Sequence, residues 1–361
     1  MLHRPILIMA GGTGGHVYPA LAVADYLKRR GVPLLWLGTS HGLEAQLVPA
    51  NGFPLLTINI NGLRGKGVIK WMQAPVILCI ALIQALMIFI RRKPAAVLGM
   101  GGFASGPGGI AAWLMRIPLC IHEQNAIAGL TNRLLAPLAD AVMEAYPKTF
   151  PMKFKAQTTG NPVRTEILNV NAPDKRMRVE NAEVMKLLVL GGSQGARTLN
   201  QIVPYAVALL PRNIKLEIIH QTGQSHYAET VALYKTLNCI ARLEPYIDDM
   251  AEAYAWADIV ICRAGALTIA ELSAVGVASI LVPFPYAVDD HQTANARYLS
   301  DQGGALLLPE PEFTSENLEQ LLNELYHSRS RLLAMAQEAR ALAKPAATEQ
   351  VAELCLKVAY A

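Results

Sequence analysis

Ile6-Leu7-Ile8-Met9-Ala10-Gly11-Gly12-Thr13-Gly14-Gly15-His16 and, later in the chain, Leu187-Leu188-Val189-Leu190-Gly191-Gly192-Ser193-Gln194-Gly195-Ala196-Arg197 are two versions of one local design. Each is a short apolar run, then glycines, then a segment able to start a helix. A buried strand turning through glycine onto a helix N-terminus gathers backbone N–H groups and the positive end of the helix dipole at one point. Such a point suits a phosphate. Two copies predict two domains of one design facing a shared cleft.

Working outward from these loops, short apolar runs alternate with amphipathic stretches. The first series of predicted strands is Ile6–Ala10, Leu34–Leu37, Leu55–Ile58, Ala96–Gly99, Leu119–His122 and Ala141–Glu144. The second is Leu187–Leu190, Leu216–Ile219, Ala241–Leu243, Ile259–Cys262, Ser279–Val282 and Ala305–Leu308. Strand–helix alternation of this kind predicts α/β architecture with doubly wound parallel sheets. At 361 residues the chain has room for two cores. Gly160-Asn161-Pro162-Val163 breaks the pattern, giving a first domain over 1–161 and a second over 162–342. The tail 343–361, set off by Lys344-Pro345, is expected to be a helix that returns to the first domain.

The chain is 52% hydrophobic and 17% charged with a mean hydropathy of +0.27, apolar for a cytosolic enzyme. A net charge of +4 without a basic stripe argues against a nucleic-acid binder. The five cysteines are scattered and read as reduced. No signal peptide is read at the start, where five apolar residues follow Arg4 before the glycines, and a cytoplasmic setting is expected. Val76–Ile90 disturbs that setting, with Gln84 as its single polar residue and Lys66, Lys70, Arg91, Arg92 and Lys93 around it. Fifteen helical residues reach about 22 Å, short of the ~30 Å hydrocarbon core, and a crossing would separate the two glycine loops. A transmembrane span is therefore not expected. The segment is either a helix buried all round on a sheet, or one that offers an apolar, base-rimmed face to anionic lipid, and both can hold on different faces.

Neither loop fits the dinucleotide fingerprint or the P-loop pattern. A third glycine run, Gly101 to Gly109, follows another apolar strand and strengthens the case for close approach by phosphorylated ligands. His16 leaves the first loop where an imidazole can act as a base near neutral pH or simply bond locally. The run His122-Glu123-Gln124-Asn125 to Asn132 is dense in hydrogen-bonding groups at a strand end, lining a ligand or only building a turn. Arg164 sits at the domain junction, within guanidinium reach of a diphosphate. Arg263 to Leu272 follows a strand, turns at Gly265 and enters a helix whose Glu271 either accepts both hydroxyls of a ribose or faces solvent. Asp289 to Ala296 is rich in sugar-binding amides and carboxylates. No metal-binding spacing is found, so a leaving diphosphate would be met by backbone N–H groups, helix dipole and arginine.

Taken in order, Gly11–His16, Gly101–Gly108, His122–Asn125, Gly160–Arg164, Gly191–Arg197, Arg263–Glu271 and Asp289–Ala296 resemble the MurG family of peptidoglycan N-acetylglucosaminyltransferases, over nearly the whole chain. The resemblance implies a GT-B fold: two Rossmann-like doubly wound domains separated by a cleft, acceptor and membrane docking in the first, UDP-GlcNAc in the second. The implied reaction moves GlcNAc from UDP-GlcNAc to the muramoyl 4-hydroxyl of undecaprenyl-diphosphate-MurNAc-pentapeptide (lipid I). The product is lipid II, and no cofactor or metal is needed. By the same resemblance Ser193 and Arg164 lie near the diphosphate and Ile247 against uracil. Ala266, Leu267, Thr268, Ile269, Ala270 and Glu271 surround the nucleotide. Gln292 holds sugar hydroxyls with Asn125 close by, and Thr13, Gly14 and Gly15 lie where donor and acceptor meet.

His16 is the implied catalytic base, and the setting is the cytoplasmic face of the bacterial inner membrane, peripherally bound to anionic lipid. Two features depart from the family pattern: Val76–Ile90 is more apolar than the family needs, and Phe103 stands where a tyrosine is often seen. A UDP-sugar transferase acting on another membrane lipid is the nearest alternative.

Overall fold

The apolar runs become strands of two parallel sheets. In the computed structural model, residues 4–60, 68–177, 183–192 and 195–360 are described, with backbone alone at 68–72 and 288. They fall into two units, Met1–Arg164 with Pro345–Ala361, and Thr165–Lys344.

The first unit carries β1 (Ile6–Met9), β2 (Leu34–Gly38), β3 (Leu55–Thr57), β4 (Ala96–Gly99), β5 (Leu119–Glu123), β6 (Ala141–Glu144) and β7 (Gln157–Thr158). Its helices are α1 (Gly14–Arg29), α2 (Glu44–Ala50), α3 (Val68–Arg92), α4 (Ser105–Leu114) and α5 (Leu130–Leu135). The sheet order is β3-β2-β1-β4-β5-β6-β7, parallel throughout. The second unit carries β8 (Met185–Leu190), β9 (Leu216–Gln221), β10 (Arg242–Glu244), β11 (Ile259–Cys262), β12 (Ala278–Leu281) and β13 (Leu306–Leu307). Its order is β10-β9-β8-β11-β12-β13, the same winding. Its helices are α6 (Thr165–Leu168), α7 (Pro173–Arg176), α8 (Arg197–Leu209), α9 (Tyr227–Thr236), α10 (Met250–Trp256), α11 (Ala266–Val275), α12 (His291–Ser300), α13 (Ser315–His327) and α14 (Arg329–Ala341).

In both sheets the winding reverses beside the first strand, and ligands of open α/β sheets bind in the crevice outside the strand ends there. The glycine loops after β1 and β8, and the third glycine run after β4, open at these two points. Strands buried on both faces read as unbroken apolar runs, which is why β1 and β4 have every residue buried. A last helix, α15 (Ala347–Ala359), buries Val351, Ala352 and Cys355 with α1 in the core of the first unit.

Of the readings open for Val76–Ile90, the structure fits a helix with two different faces. The helix holding it is 25 residues long, not fifteen, and it is not buried all round. Ala81, Ala85 and Phe89 are fully buried against the sheet, while Val76, Ile80, Ile83, Met87 and Ile90 are exposed. Within it Gln73–Arg92 is long and apolar enough to cross a membrane by length and composition. Yet β3 before the helix and β4 after it belong to one sheet. Its face of Ala81, Ala85 and Phe89 is packed into the core of that sheet, so the helix cannot cross a bilayer while this packing exists.

Candidate active site

In the first unit, two glycine turns meet through their backbones. Gly12 (φ 89°), Gly101 (φ 99°) and Gly102 (φ 86°) are all left-handed, a conformation that suits glycine alone. A Cβ on Gly102 would stand 2.8 Å from Gly11 N, and one on Gly101 would stand 2.6 Å from His16 Nδ1. The absent side chains let the loop after β4 lie flat on the loop after β1, with the His16 ring against Gly101. Thr13 caps α1 through its carbonyl, which accepts from His16 N at 3.1 Å and Val17 N at 3.2 Å.

His16 is half-buried, and its Nδ1 lies 2.9 Å from Gln124 Oε1. Gln124, itself buried, reaches His122 Nδ1 from its Nε2 at 3.0 Å, and His122 Nε2 lies 3.0 Å from the Gly160 carbonyl. Burial pushes the His122 imidazole down to about 4, against smaller upward pulls from the Gly160 carbonyl and Glu123, so the ring is neutral near pH 7. Asn161 donates from Nδ2 to the Gln124 carbonyl at 2.9 Å. Arg164 lies over the Tyr18 ring at 5.1 Å, one turn along α1 from the glycine loop.

Two buried carboxylates hold the loops. Glu44 of α2 accepts from Gly12 N at 2.9 Å, Thr39 N at 3.0 Å and Thr39 Oγ1 at 2.7 Å. It fits because Gly11, Gly38 and Gly42 have no side chains; a Cβ on Gly38 would sit 2.7 Å from Glu44 Cγ. Glu123 accepts from Asn125 N at 3.0 Å, Asn125 Nδ2 at 3.1 Å, Gly129 N at 3.0 Å and Asn132 Nδ2 at 2.9 Å. Glu123 and the Asn125 amide both take part in building this turn, and Gln124 is the member of the run that faces His16.

In the second unit the corresponding residues gather at the strand ends. Glu271 on α11 is buried and accepts from Tyr254 OH at 3.1 Å. It is therefore not the solvent-facing helix glutamate that was the alternative. Its charge and burial together push the neighbouring Cys262 thiol up to about 12, burial being the larger cause. Gln292 Oε1 accepts from Phe284 N at 2.9 Å, which leaves the amide NH2 as the donor this side chain can offer to a hydroxyl. Asn295 ties α12 to the turn before α11 through the Ala264 carbonyl at 3.2 Å. Arg263 pairs with Glu310 at 2.5 Å and donates to the Val282 and Pro283 carbonyls, each at 3.2 Å. Glu310 in turn accepts from Thr198 Oγ1 at 3.1 Å, next to the start of α8.

Gly192 (φ 76°) and Gly195 (φ 78°) shape the second loop; Ser193, expected near the diphosphate, lies outside the described residues. Behind the loop His220 bonds Tyr234 OH and Asn200 Oδ1, both at 3.0 Å, and Asn200 Nδ2 donates to the Thr222 carbonyl at 2.9 Å. Burial lowers His220 to about 3. Asp289 and Asp290, at φ 52° and 51°, form a strained corner before α12. Among the described residues there is no group of three or more His, Cys, Asp or Glu able to hold a metal.

Residues 6–144 match the glycosyltransferase family 28 N-terminal domain and residues 186–351 match its C-terminal domain. The chain belongs to glycosyltransferase family 28. Within it, the chain is 56% identical over 354 residues to the UDP-N-acetylglucosamine--N-acetylmuramyl-(pentapeptide) pyrophosphoryl-undecaprenol N-acetylglucosamine transferase of Nitrosococcus oceani, covering 98% of each chain. The transferase of the same name from Azotobacter vinelandii is 50% identical over 98% of each. The crystal structure of Acinetobacter baumannii MurG superposes with a TM-score of 0.83 at 43% identity, over 98% of this chain and 99% of that one. The fold is accordingly GT-B, as the resemblance to MurG implied, with the two similarly wound sheets as its halves.

For this family 28 member, Thr13, Gly14, Gly15, His16, Asn125 and Arg164 lie in the first unit. Ile247, Ala266 to Glu271 and Gln292 lie in the second, after β10, on α11 and at the start of α12. Glu44 and Tyr254 carry no motif and were missed. His122 and Gln124 stood inside a recognised motif, but their tie to His16 spans more than 100 residues of sequence.

Proposed function

We propose that this family 28 glycosyltransferase moves GlcNAc from UDP-GlcNAc to the muramoyl 4-hydroxyl of lipid I, with His16 as the base. The observation that carries the base assignment is His16 itself, held at the start of α1 by Gln124 beside two backbone-packed glycine turns. The acceptor hydroxyl attacks the anomeric carbon from the face opposite UDP, inverting the configuration. His16 takes the hydroxyl proton, and the C1–O bond to the diphosphate breaks as the new glycosidic bond forms. The leaving charge would be met by the N–H groups of the second glycine loop, the dipole of α8 and Arg164. Gln292 donates to a sugar hydroxyl, and Glu271, oriented by Tyr254, accepts from the ribose.

The acceptor is a lipid, and the exposed face of α3 is the surface we assign to it. Val76, Ile83 and Ile90 are each more than half exposed. On α4, which packs against α3, Trp113 and Leu114 are exposed as well, and Leu130 and Leu134 follow on α5. Arg91, Arg92 and Arg116 stand exposed at the ends of these helices. A patch of this kind marks a partner surface, and basic residues near anionic lipid contribute about 1 kcal/mol each. Peripheral docking on the cytoplasmic face of the inner membrane follows.

The test is transfer of labelled GlcNAc from UDP-GlcNAc to a lipid I analogue in detergent with EDTA. Label in a disaccharide lipid is expected, with a loss of about 100-fold or more in His16→Ala. Transfer to diacylglycerol but not to lipid I would overturn the acceptor assignment. Vesicles containing anionic lipid should retain the wild-type protein and release Ile83→Glu; equal retention of both would remove the docking surface.

A further inference from the structure

We propose that His122 and Gln124 are positioning residues that fix the tautomer of His16, so that its bare Nε2 is the atom that receives the acceptor proton. The proposal rests on the reading of His16 as base and adds what holds it in the productive form. The chain of hydrogen bonds is anchored at its far end. The Gly160 carbonyl can only accept, so His122 Nε2, 3.0 Å away, carries the hydrogen. His122 is buried and neutral, so its Nδ1 is bare and can only accept. The group facing Nδ1 at 3.0 Å must then be the amide nitrogen of Gln124, which places the amide oxygen toward His16. That oxygen, 2.9 Å from His16 Nδ1, can only accept, so His16 is protonated at Nδ1. In the neutral ring Nε2 is left with its lone pair. Each link has one allowed direction, and a fixed carbonyl sets the first. A flipped Gln124 would force His122 to turn an unprotonated Nε2 on the Gly160 carbonyl, two acceptors in contact inside the protein.

The charged side chains on the neighbouring elements have partners of their own, Arg164 over the Tyr18 ring among them. Glu123 on β5 is held by Asn125, Gly129 and Asn132, and Glu44 on α2 by Gly12 and Thr39. The loop after β4 sets Gly101 against the ring.

Nitrogen-15 NMR of the wild-type protein, labelled at histidine, reads the tautomer directly. Protonation of neutral His16 at Nδ1 is expected; protonation at Nε2 overturns the proposal whatever the variants do. Gln124→Ala should lower kcat about tenfold or more while the KM for UDP-GlcNAc stays within about twofold, and His16 should then populate both tautomers. Gln124→Glu sets a carboxylate against His16 Nδ1–H, which favours the imidazolium, so the base limb of the kcat/KM profile should move up by about one pH unit. An unmoved limb in a folded Gln124→Glu protein overturns the relay. His16→Ala is measured beside them. Full turnover there removes the base itself, whereas an inactive His16→Ala with unchanged Gln124 variants removes the relay alone.

Discussion

Glu44→Gln is the sharpest perturbation of the first glycine loop. The wild-type carboxylate is fully buried and accepts three hydrogen bonds, two from Thr39 through Oε1 and one from Gly12 N through Oε2. An amide of the same shape must turn one end into a donor. The orientation that keeps both Thr39 bonds sets the new NH2 against Gly12 N–H, donor to donor. One charge-assisted hydrogen bond, worth about 1.5–3 kcal/mol, is lost. Gly12 is exposed, so water can recover part of this, and a net destabilisation of about 2 kcal/mol is expected. For a unit of this size that is a fall in Tm of about 4–8 °C, read by calorimetry. Because the loop carries His16, kcat should fall with it by about tenfold. Glu44→Ala, which removes all three bonds and leaves the Thr39 N–H and hydroxyl unsatisfied, should cost more than Glu44→Gln, about 3–5 kcal/mol at about 1–3 kcal/mol for each unsatisfied buried donor. A Glu44→Gln protein that melts with the wild type and keeps its kcat would refute the reasoning.

Tyr254→Phe removes the hydroxyl that donates to Glu271; the KM for UDP-GlcNAc should rise about 3- to 10-fold with kcat little changed, and steady-state kinetics check it. Acid stability follows from the two buried histidines, His122 lowered to about 4 and His220 to about 3 by burial. Both are neutral when folded, while the unfolded chain binds protons from about pH 6.5 downward. Their contribution is complete above that pH and is lost as pH falls toward 4, with a slope approaching one proton in each of the two units, about 1.4 kcal/mol per pH unit. Urea midpoints taken between about pH 7.5 and 5 should show this fall, and His220→Gln should remove it for the second unit while leaving that of the first.

The winding was legible because strands buried on both faces must be unbroken apolar runs, and Ile259–Cys262, between Asp258 and Arg263, begins and ends where the apolar residues do. Gln157–Thr158 was not legible. It is a two-residue, exposed edge strand paired to Met143 and Glu144, with no hydrophobic pattern to betray it. The length of α3 was misread because Gln73 and Pro75 look like a boundary, whereas the helix runs through both. His16 and Glu271 could be found because each follows a strand and a glycine turn. Glu44 could not, since Gly11, one of the three glycines that admit its carboxylate, lies far back in the loop after β1, and only the folded chain brings it to Gly38 and Gly42. The direction of the Gln124 amide is likewise invisible in sequence, being decided by a carbonyl at Gly160.

The contact between the turns at Gly11 and Gly102 is made of main chain on both sides. Such a joint has no adjustable part. The smallest change available to the genetic code there adds a whole methyl group where less than a methyl's width is free. Sliding the turns apart is closed too, because β1 and β4 are locked in register from Ile6 opposite Ala96 to Met9 opposite Gly99. Evolution can retune the surroundings of His16 through its side-chain neighbours, but the gap between its two supporting turns is all-or-none.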